Sequence, residues 1–285
     1  MIRVSYIAVT RNRAKFIERA LENWRALKRP GDELVVVDGA STDGTYEILA
    51  RHEGSLIDTL IHEADRGEAH AFNKGFLTAR GELIKLLTDD DVFYGEALEL
   101  AYRAMAEHPE IDVLNTGGEN VAVAEDGTTR PNGFQFAPQC APPPLPRDVP
   151  NPYWRLQCGL GLVIRRRSLA LTGLFDVRHR WVDTSFLLQA MQAGANVKFI
   201  QVKGFRHEWH PGSASAVHRD KSRRELATML RERSAPLTYR LFGVYDPLWY
   251  LAHPSKGASR VLRALSARVA PPPPSTEPEW NGEIY

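Results

Sequence analysis

Residues 82–91 read ELIKLLTDDD, an apolar run that leads directly into three consecutive aspartates. The run over 83–87 is short and largely apolar, as a strand buried on both faces should be, so we predict a strand there. Three adjacent carboxylates repel one another unless a cation neutralises them. A divalent cation that prefers oxygen ligands, Mn²⁺ or Mg²⁺, is the obvious partner. The alternative is a solvated acidic turn that caps the next helix.

Strand and helix patterns alternate on both sides of this segment. Strands are predicted at 4–9, 33–37, 56–61 and 83–87, and helices at 16–24, 46–49 and 69–79. Such alternation predicts an α/β fold with a mostly parallel sheet flanked by helices. Ligands of these sheets bind outside the carboxyl ends of the strands, where both Asp38 and the acidic run fall. Asp38 could accept hydrogen bonds from a nucleobase or ribose, or it could simply form a turn with Gly39.

The second half of the chain has weaker patterns. We predict a helix at 96–107, strands at 111–115, 158–164 and 196–202, and a helix at 182–191. Residues 117–153 are rich in proline and are expected to form a long loop. A charged helix is predicted at 219–233, a basic amphipathic helix at 255–269, and a flexible tail at 270–285.

Composition excludes several classes of protein. The 285 residues carry a formal net charge of only +1, so the totals do not indicate nucleic-acid binding. The two cysteines, Cys140 and Cys158, do not suggest a disulfide framework and favour a reducing compartment. No apolar run approaches the ~18 residues of a membrane span, and the first residues do not resemble a signal peptide. We therefore expect a cytoplasmic protein, with peripheral contact at the inner face of the membrane through 255–269 as an open alternative.

The order of three sequence blocks resembles the N-terminal half of family 2 glycosyltransferases of the GT-A fold. These blocks are VSYIAVTRN, VVVDGASTDGT and EADRGEAHAFNKGFLTARGELIKLLTDDDVFY, and their spacing also fits. Two later blocks, CGLGLVIRRRSLALTGLFD and WVDTSFLLQAMQAGANVKFI, resemble the acceptor-side strand of the family and the segment that carries its catalytic carboxylate. The resemblance covers about residues 2–215. It implies sugar transfer from a nucleotide-sugar donor to a saccharide or lipid-linked acceptor.

The resemblance also implies roles for single residues on the donor side. Residues matching the nucleotide-binding positions are Thr10, Arg11, Asp38, Arg66, Lys74, Asp89 and Asp90. Asp91 matches a ligand of the metal that bridges the donor diphosphate, with Asp90 as its neighbour. Asp89 matches a position that faces the ribose or a metal-bound water, and it is also a candidate metal ligand. The family pattern is D-x-D, and a run of three aspartates leaves open which two bind the metal. Arg11 stands where some relatives place an aromatic residue over the base.

On the acceptor side the resemblance implies that Asp183 is the general base of an inverting displacement. Many relatives have an acidic pair here, whereas this chain has Val182 before Asp183. The alternative for Asp183 is an ordinary aspartate at a helix N-terminus. Gly159 and Trp181 are expected to lie on the acceptor side, where the indole could stack on a sugar ring or simply pack in the core.

Histidines near the end of the matching region could complete the metal site. The segment 207–210 reads HEWH, not the HExxH of a zinc helix, and the proline and glycine that follow favour a loop. His207 or His210 could serve as a ligand, or either could be an ordinary loop residue. His62 and His70 are interpreted as surface or packing residues.

These expectations divide the chain into a GT-A domain at 1–234, a helical extension at 235–269 and a tail. Within the domain, 1–116 would bind the nucleotide-sugar and 117–234 the acceptor. A sugar-phosphate nucleotidyltransferase is an alternative, although 10–13 lacks the glycine-rich loop that such enzymes place after the first strand. A second alternative is a degenerate member that binds a nucleotide or glycan without catalysis.

Overall fold

A computed structural model describes residues 2–124, 127–132 and 159–210 of the protein. The strands are β1 (Val4–Thr10), β2 (Glu33–Asp38), β3 (Thr59–His62), β4 (Leu83–Leu87), β5 (Val92–Phe93), β6 (Val113–Val123), β7 (Thr129–Pro131), β8 (Leu162–Arg165) and β9 (Val197–Trp209). The helices are α1 (Ile17–Leu27), α2 (Thr45–Ala50), α3 (Glu68–Thr78), α4 (Gly95–Glu107), α5 (Leu169–Thr172) and α6 (Val182–Gln192). Short 3₁₀ turns at Gly159–Gly161 and Arg166–Ser168 flank β8.

The strands form one mixed sheet in the order β3-β2-β1-β4-β8-β6-β9-β5, and β7 pairs with β6 at its side. The first four strands in this order are parallel, as the βα alternation predicts. β8 then joins antiparallel to both β4 and β6, whereas β6 and β9 pair in parallel. The α/β fold of the GT-A type is therefore confirmed, with a parallel first half and a mixed second half.

Two hydrophobic layers cover the two faces of the sheet. Alternate residues of β1 point to opposite layers, so Tyr6 and Ala8 pack in one layer and Ile7 packs in the other. Helices α1 and α4 cover the first layer with their apolar faces, and α3 and α6 cover the second. This arrangement fixes the helix starts relative to the strand ends, and therefore the position of the polar residues between them.

The predicted loop at 117–153 is wrong at its beginning, because 117–123 continues β6. This part of β6 pairs in parallel with β9 through residues 117–122, after register shifts around Gly117. Its sequence, GGEN, lacks the apolar alternation that marks a strand. Gly118 is required there because a Cβ would overlap the ring of buried Phe205 in β9. Backbone pairing, rather than side-chain pattern, makes this segment a strand.

Three further boundaries differ from the sequence-based expectation. The third strand begins at Thr59 rather than near 56, since 56 and 57 belong to a turn that packs its apolar side chains in the core. The predicted strand at 158–164 contains the 3₁₀ turn before β8. Residues 207–209 lie in β9 and not in a loop. The two cysteines, the helices at 219–233 and 255–269 and the tail lie outside the described residues.

Within the part of the chain that the structure describes, no helix is both long enough and apolar enough to cross a bilayer.

Candidate functional site

The carboxyl ends of β1, β2 and β4 bring Thr10, Asp38 and Asp89 to one edge of the sheet. Thr10 is the register partner of Asp38, and the Gly39 amide donates to the Thr10 carbonyl at 2.9 Å. The Thr10 hydroxyl donates to Asp89 Oδ2 at 2.6 Å. The expected donor-side residues of β1, β2 and the acidic run therefore form one continuous row.

Asp38 is fully buried, and its carboxylate is held by neighbours on both sides. Ser41 donates to it through its hydroxyl and through its backbone amide, the latter at 3.0 Å. His62 Nδ1 lies 2.5 Å from Asp38 Oδ2, and the His62 ring packs on Tyr46 with 4.0 Å between ring centroids. His62 was interpreted as a surface or packing residue. Its position at the end of β3, beside β2, was the signal that could have placed it at this edge.

The first two aspartates of the acidic run face Arg13, which the sequence did not single out. Arg13 Nε lies 3.5 Å from Asp89 Oδ1, and its terminal nitrogen lies 3.9 Å from Asp90 Oδ2. Burial, followed by the charge of Asp90, raises the pKa of Asp89 to about 7, although the Thr10 hydrogen bond and Arg13 oppose the shift. Burial and the charge of Asp91 likewise raise the pKa of Asp90. One guanidinium thus neutralises the run only in part.

The third aspartate is joined to the end of β9. Asp91 Oδ1 accepts a 2.8 Å hydrogen bond from the Glu208 amide and lies 2.9 Å from His207 Nδ1. Asp91 Oδ2 accepts from the Thr88 hydroxyl at 2.7 Å. Burial lowers the pKa of His207, but Asp91 outweighs that effect, and the net shift is upward.

The other histidine of the HEWH segment contacts the middle aspartate. His210 Nε2 lies 3.4 Å from Asp90 Oδ2, and its ring stacks on Phe16 at 5.2 Å. Both histidines named as possible metal ligands are therefore brought to the acidic run, although from a strand and its end rather than from a loop.

Glu208 is the centre of a charged network behind the run. Its carboxylate accepts from Arg19 at 2.7 Å and from Arg206 at 2.5 Å. A second nitrogen of Arg19 donates to the Asp90 carbonyl at 2.9 Å. Arg19 and Glu208 are 189 positions apart in sequence, so spacing alone gave no signal of this contact.

Asp183 lies in the first turn of α6, opposite the 3₁₀ turn that precedes β8. Its Oδ2 accepts a 2.7 Å hydrogen bond from the Gly159 amide, and its Oδ1 accepts from the Thr184 amide at 2.7 Å. Burial raises the pKa of Asp183 even though these hydrogen bonds oppose the shift. A carboxylate with a raised pKa and a fixed orientation is suited to accept a proton. The side chain also satisfies the helix N-terminus, so both interpretations of Asp183 describe its position.

Glu68, in the first turn of α3, lies within electrostatic range of both Asp183 and the acidic run. Its pKa is raised to about 7 by burial and then by the charges of Asp183, Asp90, Asp89 and Asp91, in that order. The Glu68 residue is nevertheless exposed to solvent. Because the charges of both Asp183 and the acidic run act on one side chain, the expected base and the expected metal ligands lie near one another.

Two of the remaining predicted residues, Arg11 and Lys74, contact the loops that follow β2 and β3. A Cβ built on Gly39 would lie 3.2 Å from Arg11 Cδ and would overlap the Asp65 carboxylate, so both side chains cover the loop after β2. The Lys74 ammonium donates to the Ala64 carbonyl at 3.0 Å and pairs with Glu63 at 3.0 Å, which anchors the loop before α3.

Arg66 and Trp181 lie in the segments that precede α3 and α6. Arg66 is exposed in the loop before α3. Trp181 is partly buried and precedes α6, where its carbonyl accepts from the Ser185 amide at 2.9 Å. Their predicted contacts with the diphosphate and the acceptor stay predictions.

The donor set fits a hard divalent cation. Several carboxylates with upward pKa shifts face one space, and a cation would relieve their repulsion. Among the described residues, no three His, Cys, Asp or Glu side chains are arranged to hold a metal ion by themselves.

Known proteins share both this sequence and this fold. A glycosyltransferase of Nostoc with no assigned function is 24% identical over 241 residues, which cover 78% of this chain and 71% of the relative. The structure of S. aureus TarS 1–349 with UDP-GlcNAc aligns with a TM-score of 0.60 and 19% identity, over 81% of this chain and 66% of that one. The mannosyltransferase PcManGT of Pyrobaculum calidifontis, solved with GDP-Man and Mn²⁺, aligns with a TM-score of 0.59 and 21% identity, over 95% and 76%.

The family model of glycosyl transferase family 2 matches residues 5–153, which contain β1 from its second residue onward, β2 to β7 and the whole acidic run. The chain belongs to glycosyl transferase family 2 and is a glycosyltransferase. It spans 25% to 42% of the length of several other curated relatives, and 38% of a longer TarS chain.

Proposed function

We propose that the protein transfers a sugar from a nucleoside diphosphate donor to an acceptor hydroxyl with inversion, with metal assistance and with Asp183 as the general base. The single observation that carries this proposal is the proximity of Asp183 to the acidic run, because the charges of Asp183 and of Asp89–Asp91 all act on the carboxyl group of Glu68. A base and a diphosphate-binding group must face the same sugar for direct displacement to occur.

Asp183 performs the proton transfer in this mechanism. The acceptor oxygen forms a bond to the anomeric carbon while the bond from that carbon to the diphosphate oxygen breaks. The acceptor proton passes to the Asp183 carboxylate, whose orientation is fixed by the Gly159 and Thr184 amides. One displacement inverts the anomeric centre, so no second nucleophilic carboxylate is required.

Asp91 and Asp89 would hold the metal, with His207 or His210 as a further ligand. When bound, Mn²⁺ or Mg²⁺ neutralises the charge that develops on the leaving diphosphate. The chain itself holds Asp91 in place through the Glu208 amide and Thr88, and it holds Asp89 through Thr10. These fixed contacts reduce the reorganisation needed when the donor binds.

The row of Thr10 and Asp38 is assigned to the nucleoside, with Arg11, Arg66, Lys74 and Asp90 around the donor. Two structural neighbours were solved in complex with UDP-GlcNAc and GDP-Man, which supports a nucleotide-sugar donor here. Gly159 and Trp181, beside Asp183, are assigned to the acceptor side. The same proposal includes a division of the domain at residue 116, a saccharide or lipid-linked acceptor, and membrane contact through 255–269.

Titration of the full chain with nucleotides tests this function. We expect UDP, GDP, dTDP or CMP to bind by isothermal titration calorimetry much more tightly with Mn²⁺ than without it. A donor screen read by mass spectrometry then identifies the sugar and acceptor. Nucleotide binding that is indifferent to Mn²⁺ would remove metal assistance from the proposal. Consumption of a nucleoside triphosphate with a sugar phosphate would instead indicate a nucleotidyltransferase, and donor binding without any turnover would indicate a non-catalytic member.

A further inference from the structure

Lys85, in the middle of β4, is a fully buried lysine. Residues 83, 85 and 87 of the strand point to one face of the sheet, and Leu83 and Leu87 belong to the hydrophobic layer that α1 and α4 cover. An aliphatic side chain is the usual choice for such a position. Lysine is almost never fully buried unless its amino group is paired, so the groups around Lys85 Nζ indicate what the residue does.

The Lys85 amino group contacts two segments of the chain that follow β4. It donates a hydrogen bond to the Leu160 carbonyl, in the 3₁₀ turn before β8. The same nitrogen lies 4.8 Å from the centroid of the Phe93 ring, which is a cation–π arrangement. Phe93 belongs to β5, and this strand begins directly after Asp91. One side chain therefore contacts both the segment that follows the acidic run and the turn that contains Gly159.

The turn that Lys85 contacts also orients Asp183. Leu160 is adjacent to Gly159, whose amide donates to Asp183 Oδ2 at 2.7 Å. At its other end the turn packs tightly on β6, because a Cβ on Gly161 would overlap polar atoms of that strand. With the Leu160 carbonyl held by Lys85 and Gly161 held against β6, the direction of the Gly159 amide is fixed.

We propose that Lys85 is a positioning residue for the general base, because its hold on the Leu160 carbonyl keeps the Gly159 amide directed at Asp183. The inference rests on the proposed function, which assigns proton transfer to Asp183. A base is effective only when its oxygen is held within hydrogen-bond reach of the proton that it accepts. An apolar side chain at position 85 would fill the same layer, but it would leave the turn without this donor.

Substitution by methionine removes the amino group and keeps an unbranched side chain of similar length. Lys85→Met is therefore the test variant. Leu86→Met is the matched control, since Leu86 is the next residue of β4 and its side chain packs in the other layer. Each substitution is made in the wild-type chain and in Asp183→Asn, so that the four chains of each double-mutant cycle can be compared.

Three measurements on the full chain with Mn²⁺ separate position from chemistry. Release of UDP from UDP-GlcNAc or of GDP from GDP-mannose gives kcat, with the donor that the wild-type chain consumes faster. Calorimetry gives the affinity for the matching nucleoside diphosphate. Hydrogen–deuterium exchange of the amides at 159–161 reports the turn directly and does not depend on the donor.

We expect Lys85→Met to lower kcat about 10-fold while the affinity for the nucleoside diphosphate stays unchanged. Exchange at 159–161 should become about 10-fold faster, because the turn opens more readily. In the Asp183→Asn chain the same substitution should cause no further loss of kcat, because a positioning residue acts only through the base that it positions. Leu86→Met should alter none of these quantities.

Retained binding of the nucleoside diphosphate demonstrates that each variant is folded. If Lys85→Met does not bind it, Phe93→Leu takes its place in the same measurements. This variant keeps the lysine and removes the aromatic face beside its amino group, so we expect changes in the same direction and of smaller size.

Three outcomes overturn the inference alone. The first is unchanged kcat or unchanged exchange at 159–161 in Lys85→Met. The second is an equal fold loss of kcat in the wild-type and Asp183→Asn chains, which would give Lys85 a purely structural role. The third is a loss of nucleoside diphosphate affinity in a folded variant, which would place its effect on the donor side. Near-normal turnover in Asp183→Asn itself overturns the proposed base, and the inference falls with it.

Discussion

The Gly159 amide donates a 2.7 Å hydrogen bond to Asp183 Oδ2. The donor belongs to a 3₁₀ turn before β8 and the acceptor to the first turn of α6, so the bond joins two elements that 24 positions of sequence separate. The Thr184 amide holds the other carboxylate oxygen. Asp183 is therefore oriented by two backbone groups that substitutions cannot easily remove.

Replacement of Asp183 by asparagine should lower turnover by roughly 10²- to 10⁴-fold, because the amide cannot accept the acceptor proton. One oxygen remains to accept from a backbone amide, so we expect little loss of stability. Steady-state kinetics with saturating donor measure the effect, and calorimetry checks that the donor still binds. Near-normal turnover would exclude Asp183 as the base.

The rate should depend on pH through the same residue. Burial raises the pKa of Asp183, and a general base works only when it is deprotonated. Turnover should therefore be full above the raised pKa and should fall about 10-fold per unit as pH decreases below it. The measurement is kcat from about pH 8 to about pH 5 with saturating donor and Mn²⁺. A profile that is flat in the wild-type chain, or equally steep in Asp183→Asn, would contradict this expectation.

Replacement of Gly159 by alanine should impair turnover by roughly 10- to 10²-fold through displacement of the base. A Cβ at this position would lie 2.6 Å from Asp183 Cβ, which is too close for any real contact. Donor affinity should change little, because the proposed function assigns Gly159 to the acceptor side. Gly127→Ala is a useful comparison, since a Cβ there meets nothing within 4 Å, although its φ of 81° disfavours alanine. Unaltered kcat in Gly159→Ala would show that Asp183 tolerates movement.

Replacement of Asp91 by asparagine should abolish the Mn²⁺ dependence of donor binding while the fold stays intact. The neutral side chain keeps an oxygen for the Glu208 amide but loses the charge that a hard cation requires. Calorimetry with and without Mn²⁺, together with thermal unfolding, measures both effects. Asp90→Asn is the matched substitution and should weaken binding less. Donor affinity that is unchanged in Asp91→Asn would remove this residue from the metal site.

Replacement of Arg19 by glutamine should weaken Mn²⁺-dependent donor binding about 10-fold. Arg19 connects the Glu208 carboxylate to the Asp90 carbonyl, so its loss loosens the acidic run without removing any carboxylate. Turnover at saturating donor should be largely retained. Arg25→Gln, at an exposed position of the same helix, provides the control. Equal donor affinities in the two variants would show that the network around Glu208 is not needed for Mn²⁺-dependent donor binding.

Local sequence pattern predicted most of the first half of the fold. The strands β1, β2 and β4 are apolar runs buried on both faces, and the run over 83–87 coincides with β4. Parallel pairing then placed Asp38 and Asp89 at one edge. The extension of β6 could not be predicted, because the stability of GGEN as a strand comes from its partner β9 and not from its own side chains.

The supporting residues of the site were harder to predict than its carboxylates. Arg13 and Glu68 carry ordinary charged side chains in helical or loop segments, and only the fold directs them toward the acidic run. His62 meets Asp38 only because β3 pairs with β2. Local sequence patterns identify residues with unusual chemistry, such as the acidic run. Contacts between distant segments can be predicted only when the order and register of the strands are known.

The hydrogen bond from the Glu208 amide to Asp91 has a consequence for engineering. β9 carries this amide, pairs with β6 along most of its length, and comes from the half of the chain that follows α6. In a chimaera that keeps the first half of the chain and takes the second half from a relative, a foreign strand would supply the amide that holds Asp91. Grafting to alter acceptor preference should therefore preserve β9 up to Trp209, and exchange only the loops around it.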